Sequence, residues 1–295
     1  MNNFLGLNLI SLFKDYLFCK KNRPPKIYDA LTTIELIKNK KLSVARFGDG
    51  EFDLIMNINH PKFQKEDAKL SNKLSMVLNS KDDRVMICIP NVFRDSLLDS
   101  LTGKASRHWK RFLMKNREQL YILLDRDKQY GDALFTRHYI DEKNKHECKT
   151  YFDNIKQLWN KRDVVLIEGR YTRFGVGNDL LDNATSVSRI LCPEKDAFAM
   201  YDLIYDAAMK QDKNSIFLLA LGPTATVLAY DLTQKGCQAI DIGHLDIEYE
   251  WLLRNASKKI KINNKYVNEA DGILDENNDC LHDAKYQSTI VERIF

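Results

Sequence analysis

Runs at Leu42–Phe47, Arg84–Pro90, Asp163–Gly169, Ser215–Leu221 and Ala239–Ile242 are apolar at nearly every inner position rather than at alternate ones. A strand that is apolar on both faces belongs to a sheet covered on both sides, which is the situation of parallel sheets in α/β proteins. Helical spacing separates these runs. Ile27–Asn39 places Leu31, Ile34 and Ile37 on one face, Glu66–Asn79 does the same with Leu70, Leu74, Val77 and Leu78, and a segment opened by Pro223 closes at Gly236. The alternation predicts an α/β fold with a mostly parallel sheet flanked by helices.

Other stretches are read more locally. Arg107–Arg117 is an amphipathic helix or an aromatic and basic platform, Tyr121–Leu124 a short strand, and Tyr130–Tyr139 a loop or helix start whose Arg137 is either surface charge or a reach into an anionic pocket. Asp271–Asp283 reads as an acidic loop and Tyr286–Phe295 as a short helix. No repeat or low-complexity linker divides the chain, so a single domain over residues 27–295 is expected, with helical additions. Residues 1–26 carry an amphipathic helix stopped at Pro24-Pro25. That helix either packs on the domain or a second subunit, giving a homo-oligomer, or docks peripherally on a membrane with Lys20, Lys21 and Arg23 near the headgroups.

A chain of 295 residues can bury a full core. The excess of 45 basic over 41 acidic residues is too small for a dedicated nucleic-acid binder, so no nucleic-acid partner is expected. The 6 cysteines form no C-x-x-C pair, which suggests reduced thiols and a cytoplasmic protein. No apolar run approaches the roughly 20 residues that span a bilayer.

In parallel sheets the ligand sits at the carboxyl ends of the strands, so the strand exits carry the functional expectations. The first is Arg46-Phe47-Gly48-Asp49-Gly50-Glu51. Its two carboxylates on a bend suit a hard cation that keeps positions open for phosphate oxygens, and Arg46 would hold a phosphate or pair with an acid. Should a helix start there, its N–H groups would face the same anion. The next exit, Arg170 to Asp179, offers Arg170, Arg173, Gly177, Asn178 and Asp179 for phosphate and ribose, or is a structural turn. After the third, Gly222 and Thr224 suit a diphosphate or a plain helix cap. The fourth carries His244, Asp246 and Glu248.

Together Arg46 to Glu51, Glu168 to Asp179, Leu221 to Thr224 and Asp241 to Trp251 resemble the GT-D type glycosyltransferases, a bacterial group linked to glycosylation of serine-rich adhesins and to cell-surface polysaccharide clusters. The resemblance covers roughly Ile34 to Glu269. It implies a Rossmann-like fold, a UDP-sugar donor and Mn²⁺ or Mg²⁺ held by a D-x-E motif that falls on Asp49 and Glu51. The expected reaction moves a hexose to a glycan or glycoprotein acceptor, in the cytoplasm or at the inner face of the membrane. Arg170 and Arg173 would stabilise the departing diphosphate, and Asn178 and Asp179 would hold ribose or sugar hydroxyls. His244 would complete the metal shell or touch phosphate, and Asp246 or Glu248 would serve as base. A metal-dependent phosphohydrolase and a non-catalytic nucleotide-binding module are the rival readings.

Overall fold

The computed structural model describes residues 9–58, 64–267 and 283–295. Its strands are β1 (Lys26–Ile27), β2 (Ser43–Arg46), β3 (Val85–Ile89), β4 (Gln129–Asp132), β5 (Asp163–Gly169), β6 (Ser186–Cys192), β7 (Ile216–Ala220), β8 (Gln238–Asp241) and β9 (Ile290–Arg293). They form one 9-stranded sheet in the order β1-β4-β3-β2-β8-β7-β5-β6-β9, and each neighbouring pair is parallel. The helices are α1 (Leu9–Lys21), α2 (Ala30–Lys40), α3 (Asp49–Ile55), α4 (Ala68–Leu78), α5 (Asp95–Leu98), α6 (Gly103–Leu123), α7 (Cys148–Lys156), α8 (Tyr201–Met209), α9 (Pro223–Gln234), α10 (Leu245–Leu253) and α11 (Ala284–Ser288).

Successive side chains of a strand point to opposite faces, so each apolar run feeds two cores. Ile87 and Ile89 of β3, with Phe217 and Leu219 of β7, pack under α4, α6, α8 and α9. Met86 and Cys88, with Ile216 and Leu218, pack under α2, α7 and α10. Helix ends follow local chemistry: Asp29 accepts from the Thr32 N–H at 2.8 Å to cap α2, and Asp67 caps α4 from Lys69 and Leu70.

Some expectations are corrected. Tyr121–Leu124 is the end of α6 rather than a strand, because the helical face that buries Leu113 and Leu120 continues into Tyr121. The strand that fills this place is β4, inside the segment read as a loop or helix start. Neither α7 nor β6 was expected; Arg189 interrupts the apolar run of β6 and is buried only because Glu168 neutralises it at 2.5 Å. Tyr286–Phe295 holds the end of α11 and then the edge strand β9. The acidic loop falls outside the described residues except for Asp283, which caps α11.

Helix α1 lies on α6 through the Asp15–Arg117 ion pair at 2.6 Å and an edge-to-face contact of Phe18 on Tyr121, centroids 5.1 Å apart. Among the described residues no helix is long and apolar enough to cross a membrane, and Cys19, Cys88, Cys148, Cys192 and Cys237 are free thiols.

Candidate functional site

Strand order fixes where a crevice opens. The chain leaves β2 toward β3 on one side and leaves β8 toward β9 on the other, while β2 and β8 are neighbours. Loops that part in opposite directions leave a gap at the carboxyl ends. A second parting lies between β7, which leads back to β8, and β5, which leads out to β6.

Beside the first parting, Gly48 is the N-cap of α3, and Asp49 and Glu51 fall in its first turn, where negative charge meets the free N–H groups. Glu51 Oε2 accepts from the Gly48 N–H at 2.7 Å. Burial pushes the Glu51 carboxyl up to about 7, helped by the charge of Asp241 and against the pull of that hydrogen bond. Asp49 differs. Its side chain is 48% exposed and its Oδ2 lies 3.0 Å from Nε2 of His108. Burial lifts its carboxyl, but the hydrogen bond and charge of His108 and the charge of Arg137 outweigh that and hold it below the usual range. His108, from α6, and Arg137, from the turn after β4, are therefore the side chains that act on Asp49. The sequence pairs neither with Asp49: His108 falls in a stretch read as an amphipathic helix or an aromatic and basic platform, and Arg137 reads as surface charge or a reach into an anionic pocket.

Arg46 has a structural post. Its guanidinium bonds the Asp241 carboxylate at 3.0 Å, the Asp241 carbonyl at 2.9 Å, the Ala133 carbonyl at 3.1 Å and the Thr136 hydroxyl at 2.8 Å. Thr226 of α9 donates to the Arg46 carbonyl at 2.8 Å. The exits of β2, β4 and β8 are thus tied at one point, and the Asp241 carboxyl is raised by burial against the pull of Arg46. Gly243 has φ +45°, and a Cβ built there would overlap the Arg46 guanidinium. Gly243→Ala is therefore expected to displace Arg46 and to destabilise the fold by about 1–3 kcal/mol, as read by urea unfolding; an unchanged midpoint would contradict this account of the brace.

The other sites expected from the sequence are placed as follows. Arg170 pairs with Glu194 at 2.7 Å and lies over the rings of Tyr171 and Phe295. Arg173 is buried and donates to the Asn264 carbonyl at 2.7 Å. Asn178 donates to both Asp246 and Glu250, while its Oδ1 accepts from the Leu180 N–H. Asp179 holds Lys156 and the Tyr249 hydroxyl, and Gly177 supplies a turn at φ +80°. Asp246 is 1% exposed and is filled by Lys265 at 2.6 Å, the Gly175 N–H and Asn178. Glu248 is 0% exposed and accepts from the Ile140 N–H. These contacts engage Asp246, Glu248, Arg173 and Asn178 with partners of the protein itself. Gly222, at φ +55°, caps α9, and Thr224 is buried 3.4 Å from Gln64 Oε1. His244 precedes α10 and its carbonyl accepts from the Glu248 N–H.

Asp132 closes β4 beside this corner. It accepts from the Leu134 and Asn91 N–H groups, yet burial pushes its carboxyl up to about 7. A carboxyl raised by folding contributes stability that is full below the unfolded value near 3.8 and is lost as pH climbs through about 7. Asp132→Asn is expected to raise stability at pH 8 by up to about 4 kcal/mol and to leave it nearly unchanged at pH 4. Thermal melts at both pH values check this, and an equal shift at both would refute it.

The expected cation can be tested against these donors. Among the described residues no group of three or more His, Cys, Asp or Glu side chains forms a cage, so His244 is not gathered with Asp49 and Glu51 into a three-ligand set. What the corner offers is two carboxylates at a helix start. Such an oxygen-only, incomplete set fits Mg²⁺ or Mn²⁺, which fill the remaining positions with phosphate oxygens and water.

Known proteins resemble this chain in sequence and fold. The family model described as glycosyltransferase GT-D fold matches residues 44–270. The chain is 39% identical over 263 residues to a probable glycosyl transferase Gly of Streptococcus gordonii, covering 89% of this chain and 38% of that protein. It is 36% identical over 264 residues to the glycosyltransferase GlyD of Streptococcus pneumoniae serotype 4, covering 89% and 32%. The chain thus spans well under half the length of these curated relatives. A solved structure described as the highly conserved domain of unknown function 1792 with a distinct glycosyltransferase fold superposes with a TM-score of 0.87 at 38% identity, covering 95% of this chain and 100% of that one. A second, described as a new glycosyltransferase from Streptococcus sanguinis, gives 0.85 at 35% identity, covering 92% and 100%.

Proposed function

This chain belongs to the family of the glycosyltransferase GT-D fold, and on that premise we propose that it moves a hexose from a UDP-sugar to a glycan or glycoprotein acceptor in bacterial surface glycosylation. The observation that carries the proposal is the corner where Asp49, in the same helix turn as Glu51, meets His108 and the charge of Arg137 at a parting of the sheet.

In this reading Asp49 and Glu51 would hold Mn²⁺ or Mg²⁺. When bound, such an ion supplies positive charge that offsets the negative charge growing on the diphosphate as the glycosidic bond breaks. The chain's own residues do the rest. The Gly48 and Gly50 N–H groups hold the Glu51 and Asp49 carboxylates in the first turn of α3, and Arg137 adds a positive charge close to Asp49. His108 orients the Asp49 carboxylate through its hydrogen bond, as outer groups do for metal ligands. The Arg46–Asp241 brace keeps the β2 and β8 exits at a fixed spacing, and Gly243 and His244 follow the β8 exit. Gly222 and the N-terminus of α9 border the same edge for ribose or sugar contact.

The test is a panel of nucleotide sugars read by thermal shift with and without Mn²⁺, followed by UDP release in the presence of acceptor glycans. A metal-dependent shift with one UDP-sugar and release of UDP are expected. Release of inorganic phosphate without UDP would replace this reading with phosphohydrolysis, and a shift without any turnover would leave a binding module.

A further inference from the structure

Helix α6 has three distinct edges. One carries Arg117 and Tyr121, which seat α1. Another carries His108, which touches Asp49 at the candidate active site. Between them Lys104, Arg107, Arg111 and Lys115 recur at steps of three and four residues, the spacing of one helical stripe, and all are exposed. From Gly103 to Arg117 the sequence contains no acidic residue.

The outer face of α1 continues this surface. Phe13 is 62% exposed, Tyr16 54% and Leu17 40%, at helical spacing on the side away from Phe18 and α6. Lys14, Lys20 and Lys21 flank them and are exposed as well. The one acid in α1, Asp15, is consumed by Arg117. An apolar and aromatic ridge set among lysines, beside a second row of cations, has the composition of a helix that lies at a lipid interface.

We propose that α1 and the basic stripe of α6 dock the protein on an anionic bilayer surface, with Phe13, Tyr16 and Leu17 at the headgroup level and Lys104, Arg107, Arg111 and Lys115 against the lipid charge. Charge decides between occupants. A second copy meeting this face by two-fold symmetry would oppose its own lysines, whereas an anionic leaflet complements every cation on the face. Because His108 sits at the edge of the same helix, docking would hold the mouth of the crevice beside the membrane surface. The proposal does not depend on the identity of the donor.

The test is co-sedimentation of the full chain with phosphatidylcholine vesicles, with and without phosphatidylglycerol. Binding is expected only with the anionic lipid and should weaken as salt is raised. Each of Lys104→Gln, Arg107→Gln and Lys115→Gln should lower partitioning about fivefold, and Phe13→Ser with Leu17→Ser should lower it at fixed salt. All these positions are on the surface, and unchanged circular dichroism verifies that the variants fold. Absence of binding to anionic vesicles overturns the proposal, as does equal binding to neutral ones. Light scattering that shows a dimer abolished by Phe13→Ser would assign the face to a second copy instead. Displacement by a soluble anionic polysaccharide, with Phe13→Ser and Leu17→Ser having no effect, would make the stripe a glycan site and refute membrane docking.

Discussion

Alanine in place of Asp49 is expected to lower glycosyl transfer by about two to three orders of magnitude, the usual cost of removing one electrostatic element that acts on developing charge. The carboxylate is half-exposed, so the fold should survive its loss. Glu51 calls for a different substitution, because its Oε2 also caps α3 through the Gly48 N–H. Glu51→Ala would remove the cap, worth about 1 kcal/mol, together with the charge; Glu51→Gln keeps an acceptor for the cap and removes only the charge. Comparable losses in Asp49→Ala and Glu51→Gln, neither melting below the parent, would locate the effect in the chemistry. His108→Ala should cost about ten- to a hundredfold through misorientation of Asp49. Steady-state UDP release across a Mn²⁺ titration reads all three, and parental turnover in both carboxylate variants would remove the ion from the reading.

The largest effect on stability is expected from Lys265. Its ammonium is buried between Asp246 at 2.6 Å and Glu250 at 2.9 Å, and Asn178 donates to both carboxylates. Lys265→Met would leave the buried Asp246 without its counter-charge and Glu250 with only the part-exposed Arg254, for a loss of about 3–5 kcal/mol. Burial lifts the Glu250 carboxyl, but the charge and hydrogen bond of Lys265 outweigh it, so Glu250 titrates below its ordinary range. The stability it contributes is present above the unfolded glutamate value and lost as pH falls through the lowered folded one. That acid-side loss should shrink in Lys265→Met. Adding Asp246→Asn and Glu250→Gln to the variant should recover part of the deficit, since neutral amides need no cation. Urea unfolding measures each step; a deficit under about 1 kcal/mol, the size of an exposed pair, would mean that the cluster is not what holds the loop of Arg173 to Asn178 against α10.

What could be read from the sequence follows from what burial writes locally. A strand covered on both faces leaves a continuous apolar run, so β2, β3, β5, β7 and β8 were legible along with the direction of the sheet. β6 was hidden because Arg189 sits in it, tolerated only by Glu168 on the neighbouring strand. The position of Asp49 and Glu51 at a strand exit and helix start followed from an apolar run meeting glycines and acids. His108 could not be found that way. It reaches Asp49 across 59 residues, and nothing in an amphipathic pattern tells which neighbour a polar face will meet. Arg170, Arg173 and Asn178 show the converse. Their side chains are of the kind that binds phosphate or ribose, but Glu194, the Asn264 carbonyl, Asp246 and Glu250 take them up. Residue type states what a group can bind, while tertiary packing decides what it does bind.

The brace between Arg46 and Asp241 joins positions 195 residues apart. During synthesis the acidic corner emerges first, and the strand that steadies it follows only 195 residues later. Contacts this distant are slow to close, so a growing or truncated chain would carry the corner in an unsupported state. Catalytic competence would therefore switch on late and all at once, making enzyme activity a sensitive report of complete folding.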